Sequence, residues 1–116
     1  MSANKSNRYI VFYSIPASVM ADWVNTDANT RKAAEEKMKA EWQKWMIEHA
    51  KTVTTTEACG KTKRVTASGV ADTKNDICLY SFVEAESPEA AANIFKNHPH
   101  LQIPQATIDV MSVRSM

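Results

Sequence analysis

The sequence predicts an α+β domain in which strand, helix, strand, strand, helix and strand follow one another. Two segments, Arg8 to Ile15 and Ile77 to Glu84, carry apolar residues on both of their alternating faces. A third β-prone segment, Thr52 to Ala58, is mostly polar, and two stretches of helical periodicity separate the strands. At 116 residues the chain fits one domain, expected over residues 8–116 after a flexible polar tail at 1–7.

Each element has a local reason. Arg8 to Ile15 is rich in aromatic and β-branched residues and stops at Pro16. Tyr9, Val11, Tyr13 and Ile15 fall on one side and Ile10 and Phe12 on the other, as in a central strand covered twice. Pro16 can open a short helix, Ala17 to Val24, because the missing N–H is harmless in a first turn. Asn25, Thr26 and Asp27 offer capping oxygens to a longer helix from Ala28 to about Ala50. In it Ala34, Met38, Trp42, Trp45, Met46 and His49 form one stripe, and Glu35 and Lys39 are spaced as an ion pair.

Thr52 to Ala58 suits an edge strand with one wet side. Thr62 to Ala67 is expected to form one arm of a hairpin turning at Ser68-Gly69. Ile77, Leu79 and Val83 alternate with Cys78, Tyr80 and Phe82, so this strand too should be central. Ser87-Pro88-Glu89 supplies a hydroxyl cap, a first-turn proline and a carboxylate for a helix to about Asn97, stopped by Pro99, with Ala91, Ile94, Phe95 and His98 inward. Ala106 to Arg114 is the last strand.

This order is that of the ferredoxin-like βαββαβ unit, an antiparallel four-stranded sheet with its helices on one face. Right-handed crossovers put the first and third strands in the middle. The two centres are then the two segments apolar on both faces. Helices cover only one face, so the other would expose more apolar surface than a monomer usually shows. Pairing of two copies through the bare sheets is the expected remedy.

The bulk properties exclude several classes. Hydrophobic residues at 44% and charged residues at 23% are those of a globular protein. No apolar run approaches the roughly 20 residues of a membrane span, and the start of the chain lacks a secretory h-region, so a cytoplasmic protein with no membrane partner is expected. Fourteen basic and 13 acidic residues give a net charge of +1, too balanced to steer nucleic acid. Cys59 and Cys78 have no Cys-x-x-Cys spacing and read as reduced, packed thiols.

The segment Phe82-Val-Glu-Ala-Glu-Ser-Pro-Glu-Ala-Ala91 and the closing Pro104-Gln-Ala-Thr-Ile-Asp-Val110 resemble the dimeric α+β barrel superfamily, and within it the YCII-related small proteins. The likeness covers the whole chain in element order and is close over about the last 40 residues. It implies a homodimer formed through the sheets and, as in many members, a small organic ligand between sheet and helices. The superfamily includes monooxygenases, isomerases, dehalogenating enzymes and haem proteins, so the fold does not choose a chemistry. The His and Asp pair of some YCII-related proteins has no counterpart at matching spacing early in this chain.

His98-Pro99-His100 carries the most chemistry. An imidazole titrating near neutrality can act as general acid or base, and one at a helix end can equally serve to cap carbonyls. Asp109 interrupts an apolar strand; facing inward it would pair with His98 or His100, and facing outward it would be an ordinary surface carboxylate. Tyr13, Trp23, Trp42 and Tyr80 are the candidate lining of a ligand pocket with a histidine at its mouth, or else core residues. Lys61, Lys63 and Arg64 form a basic cluster that is either an anion site or a solvated loop. No third and fourth ligand accompany the histidines, so neither a metal nor another cofactor is expected.

The functional expectation is therefore a homodimeric binder of a small organic molecule, or a cofactor-independent enzyme using His98 or His100. The alternative is a non-catalytic dimer that presents charged helices to another protein. An RNA-recognition module shares the element order and has Tyr80 and Phe82 two apart, but the Lys/Arg-Gly start of that motif is missing, so no nucleic-acid partner is expected.

Overall fold

A computed structural model describes residues 7–114, so most of the expected tail at 1–7 lies outside the described residues. The elements are β1 (Asn7–Ser14), α1 (Ala17–Val24), α2 (Ala28–Glu48), β2 (Val53–Ala58), β3 (Thr62–Thr66), β4 (Gly69–Thr73), β5 (Ile77–Ala85), α3 (Pro88–Ile94), a 3-10 helix (Pro99–Gln102) and β6 (Thr107–Ser112). Four strands form an antiparallel sheet in the order β2-β5-β1-β6, and β3 and β4 make a separate hairpin. The two segments apolar on both faces are the central strands, the polar one is an edge, and the arrangement is compatible with a ferredoxin-like fold.

Register divides the sheet residues between two faces. Tyr9 lies opposite Val83, Val11 opposite Ser81 and Tyr13 opposite Leu79. These meet Trp45 of α2 and Ala91 and Phe95 beside and within α3, and with Val53 they form the core. Tyr13, Val11 and Val83 are fully sealed. Each such side chain contributes about 1.5–3 kcal/mol relative to exposure. Ile10, Phe12, Tyr80 and Phe82 alternate with them and point to the opposite face, outside the helix-side core and only half-buried among the described residues.

Local chemistry fixes the helices. Pro16 occupies the N-cap of α1, and Asp27 caps α2 by accepting from the Thr30 amide at 3.1 Å. Arg31 ties the two helices by donating to the Val24 carbonyl at 2.8 Å. Glu35 pairs with Arg31 at 3.7 Å rather than with Lys39. Ser87 caps α3 by accepting from the Ala90 amide at 3.1 Å, as its sequence signature predicts.

Two expectations need correction. Helix α3 ends at Ile94, short of Asn97, because Phe95 turns into the core and His98 adopts an extended backbone ahead of Pro99. His98 therefore caps no α-helical carbonyl; its Nδ1 accepts the His100 amide at 2.9 Å and so caps the start of the 3-10 helix. The hairpin turns at Ala67-Ser68, with Gly69 opening β4 at φ +138°, a backbone that favours glycine. The Cα radius of gyration is 16.5 Å, against about 13 Å for a compact domain of this length. No helix among the described residues is long and apolar enough to cross a membrane.

Candidate functional site

The N-terminal half of α2 is almost wholly exposed, and the Arg31 bond to the Val24 carbonyl ties it to α1. Between these helices and the segment from Gln102 to Gln105 lies an open groove of about 810 Å3. Its walls are apolar: Ile15, Val19, Met20, Trp23, Met38, Trp42, Ile103 and Pro104. Asp22, Glu35, Lys37, Lys39 and Glu41 supply charge around it. One side is braced by Gln102, which donates to Glu41 Oε2 at 2.9 Å. The turn below is tight: the Ala106 amide donates to the Ile103 carbonyl at 3.1 Å, and Gln105 sits at φ +60° after Pro104. That left-handed position is one that glycine usually occupies, and the strained residue lines the groove.

Behind Trp42 is a sealed aromatic cluster. The His98 ring meets Trp42 edge-on at 4.2 Å between centroids and Trp45 at 4.4 Å, with Tyr13 at 5.3 Å. His49 stacks on the far side of Trp45 at 4.1 Å. His98 and His49 thus gather around two tryptophans, and the His100 ring meets Tyr13 edge-on at 5.5 Å. His98 and His100 are each only 1% exposed. Burial, with His100 and His49 nearby, drives the His98 pKa down to about 3. His98 is neutral at ordinary pH, and its Nδ1 accepts, which places the proton on Nε2. That Nε2 has no hydrogen-bond partner and faces ring surfaces. Burial also lowers the His100 pKa, partly offset by hydrogen bonds to the backbone of Ser14 and Thr107. Its Nε2 donates to the Ser14 carbonyl at 3.0 Å.

A hydroxyl chain extends the cluster into the sheet. Tyr13 OH and Ser81 Oγ are 2.8 Å apart, and Ser81 Oγ and Thr56 Oγ1 are 2.7 Å apart. Burial raises the Tyr13 pKa to about 12 despite the lowering effect of these hydroxyls. Ser81 and Thr56 escaped the sequence reading. The signal was a lone serine inside an apolar strand, but its partners are set by register rather than by neighbours in the chain.

The expected site residues are thus only partly brought together. Trp23 and Trp42 line the groove, whereas Tyr13 stands behind Trp42. Tyr80 is on the opposite face, where its hydroxyl donates to Glu57. No histidine stands at the groove's mouth, since both members of His98-Pro99-His100 are sealed in. Asp109 lies opposite Phe12, exposed on the bare face, so it does not pair with either histidine. In the basic cluster, Lys63 is paired with Asp72 across the hairpin. Cys59, just past β2, and Cys78 of β5 are free thiols, the Cys59 amide donating to the Cys78 carbonyl at 2.9 Å. Among the described residues, no group of three or more His, Cys, Asp or Glu is placed to hold a metal ion.

Compared with models of known protein families and with curated proteins, the chain matches none.

Proposed function

We propose that the protein is a homodimeric α+β barrel protein with a ferredoxin-like, YCII-related subunit, and that it binds a small, largely apolar organic molecule. The groove between α1, α2 and the Gln102–Gln105 segment carries the reading. It has the volume of a small-molecule site, apolar walls and a few polar groups, which is how such sites are generally built. Two indoles, Trp23 of α1 and Trp42 of α2, supply flat surfaces for an aromatic or alicyclic ligand. Binding rather than acid–base catalysis is the centre of the proposal. A neutral, sealed His98 can meet a ligand only after the Trp42 ring swings aside.

Homodimerisation through the bare face is supported by what that face holds. Ile10, Phe12, Tyr80 and Phe82 form an aromatic and aliphatic centre, with Arg8 over the Phe82 ring at 4.7 Å and Glu57 at the margin. An apolar centre with a polar rim is the anatomy of a subunit interface.

Tryptophan fluorescence titrated with anilinonaphthalenesulfonate tests the binding function. The dye should quench the indoles with saturable, micromolar affinity. Trp23→Ala should weaken it about tenfold, equivalent to about 1.4 kcal/mol of lost contact. Linear, non-saturating quenching by the dye and by a panel of apolar aromatics would falsify the reading.

A further inference from the structure

We propose that the β3–β4 hairpin is a dimerisation arm, with Val65 and Val70 packing against a second copy of the chain at the margin of the bare sheet face. The inference rests on the homodimer proposed above and adds the element that completes its contact. Val65 lies directly opposite Val70, and the two are 75% and 66% exposed. Lys63 and Asp72 pair on the same side of the ribbon and give this apolar spot a charged edge. Among the described residues the two valines are left largely open to solvent. A two-stranded hairpin alone in water is marginal at best, and three strands or a packing partner are normally needed to hold one.

The arm is rooted where a partner sheet would arrive. Phe12 of the bare face, Cys59, Lys61, Thr62 and Ile77 enclose a shallow hollow of about 360 Å3 at its base. Lys63, on the side of the ribbon that carries Val65, lines the same hollow as Phe12. Area identifies the occupant as something large. The chain exposes 8667 Å2, about 2,300 Å2 more than the roughly 6,300 Å2 expected for a monomer of its mass. A loss of this order from each chain falls in the range of obligate homodimers. A two-fold pairing of bare faces brings both arms to the interface and satisfies the two surfaces together.

Sedimentation equilibrium of the full chain, with three variants, tests the arm separately from the dimer. Wild type should be a dimer that Phe82→Glu dissociates. V65K/V70K should raise the dimer Kd at least tenfold, and the milder V65T/V70T by a smaller factor, with unaltered far-ultraviolet dichroism. Amide exchange should be slowed in β3 and β4 of wild type and fast in Phe82→Glu. A wild-type monomer at high micromolar concentration overturns the dimer and the arm with it. A wild-type dimer whose Kd is the same in V65K/V70K overturns the arm alone.

Discussion

The two faces of the sheet are made from the same strands and much the same residues, yet they have opposite fates. On the helix side Tyr9, Val11, Tyr13 and Val83 are 0–2% exposed, closed in by Trp45, Ala91 and Phe95. On the other side Ile10, Phe12, Tyr80 and Phe82 remain half-exposed, and β6 adds Met111 at 48%. Side-chain chemistry alone does not separate the two sets, because each mixes aromatic and aliphatic residues. What differs is the covering layer. The helix face is a core within the single chain, whereas the side chains of the bare face stay half-buried.

Paired truncations break the comparison with the largest effect. Phe95→Ala leaves a void in the sealed layer and should cost about 3–5 kcal/mol, read from the urea midpoint of unfolding. Phe82→Ala on the bare face should leave the unfolding of dilute, dissociated chains nearly unchanged while weakening association of concentrated ones. Equal losses from both in dilute solution would show that the bare face belongs to a core within the single chain.

Acid should act on the helix face through its two sealed histidines. An unfolded histidine titrates near 6.5, but folded His98 takes a proton only near pH 3, and His100 is shifted in the same direction. The unfolded chain therefore binds protons first as pH falls. Their stabilisation is complete above about pH 6.5 and is lost below it, at about 1.4 kcal/mol per pH unit for each histidine, until the folded form also protonates. Urea midpoints measured between pH 7 and 4 should fall accordingly. His98→Phe should remove roughly one proton's share of the slope, and a variant with an unaltered slope would show that His98 is solvated in the folded state.

Much of the frame was legible in the sequence because it depends on local causes. Pro16 and Asn25 bound α1, Asp27 and Ser87 cap the next two helices, and apolarity on both faces marks β1 and β5 as central. What could not be read was which face the helices choose, since a strand apolar on both sides gives no preference. That single ambiguity put Tyr80 beside Trp42 and left Asp109 free to face either the histidines or solvent. Register was equally hidden: nothing near Ser81 in the chain announces Tyr13 or Thr56 as its partners. The 3-10 helix was masked by Pro99, which reads simply as a stop, although His98 before it makes the cap that starts the next turn.

The two strand tyrosines sharpen the comparison at the scale of a single hydroxyl. Tyr13 shares its hydrogen with Ser81 in a sealed site, and Tyr80 donates to Glu57 at an open margin. Tyr13→Phe should cost about 1 kcal/mol, and not more, because Ser81 and Thr56 still satisfy each other when the phenol is gone. Tyr80→Phe should leave the unfolding midpoint where it was. Ultraviolet titration supplies an independent reading of the same contrast. Burial holds the Tyr13 phenol up to about 12, whereas the rise at Tyr80 comes first from its hydrogen bond to Glu57. Replacing Glu57 with Gln should lower the Tyr80 transition and leave that of Tyr13 in place. If one substitution moved both transitions, the hydroxyls would be coupled through the sheet, and the two faces would not be the separate environments that their burial describes.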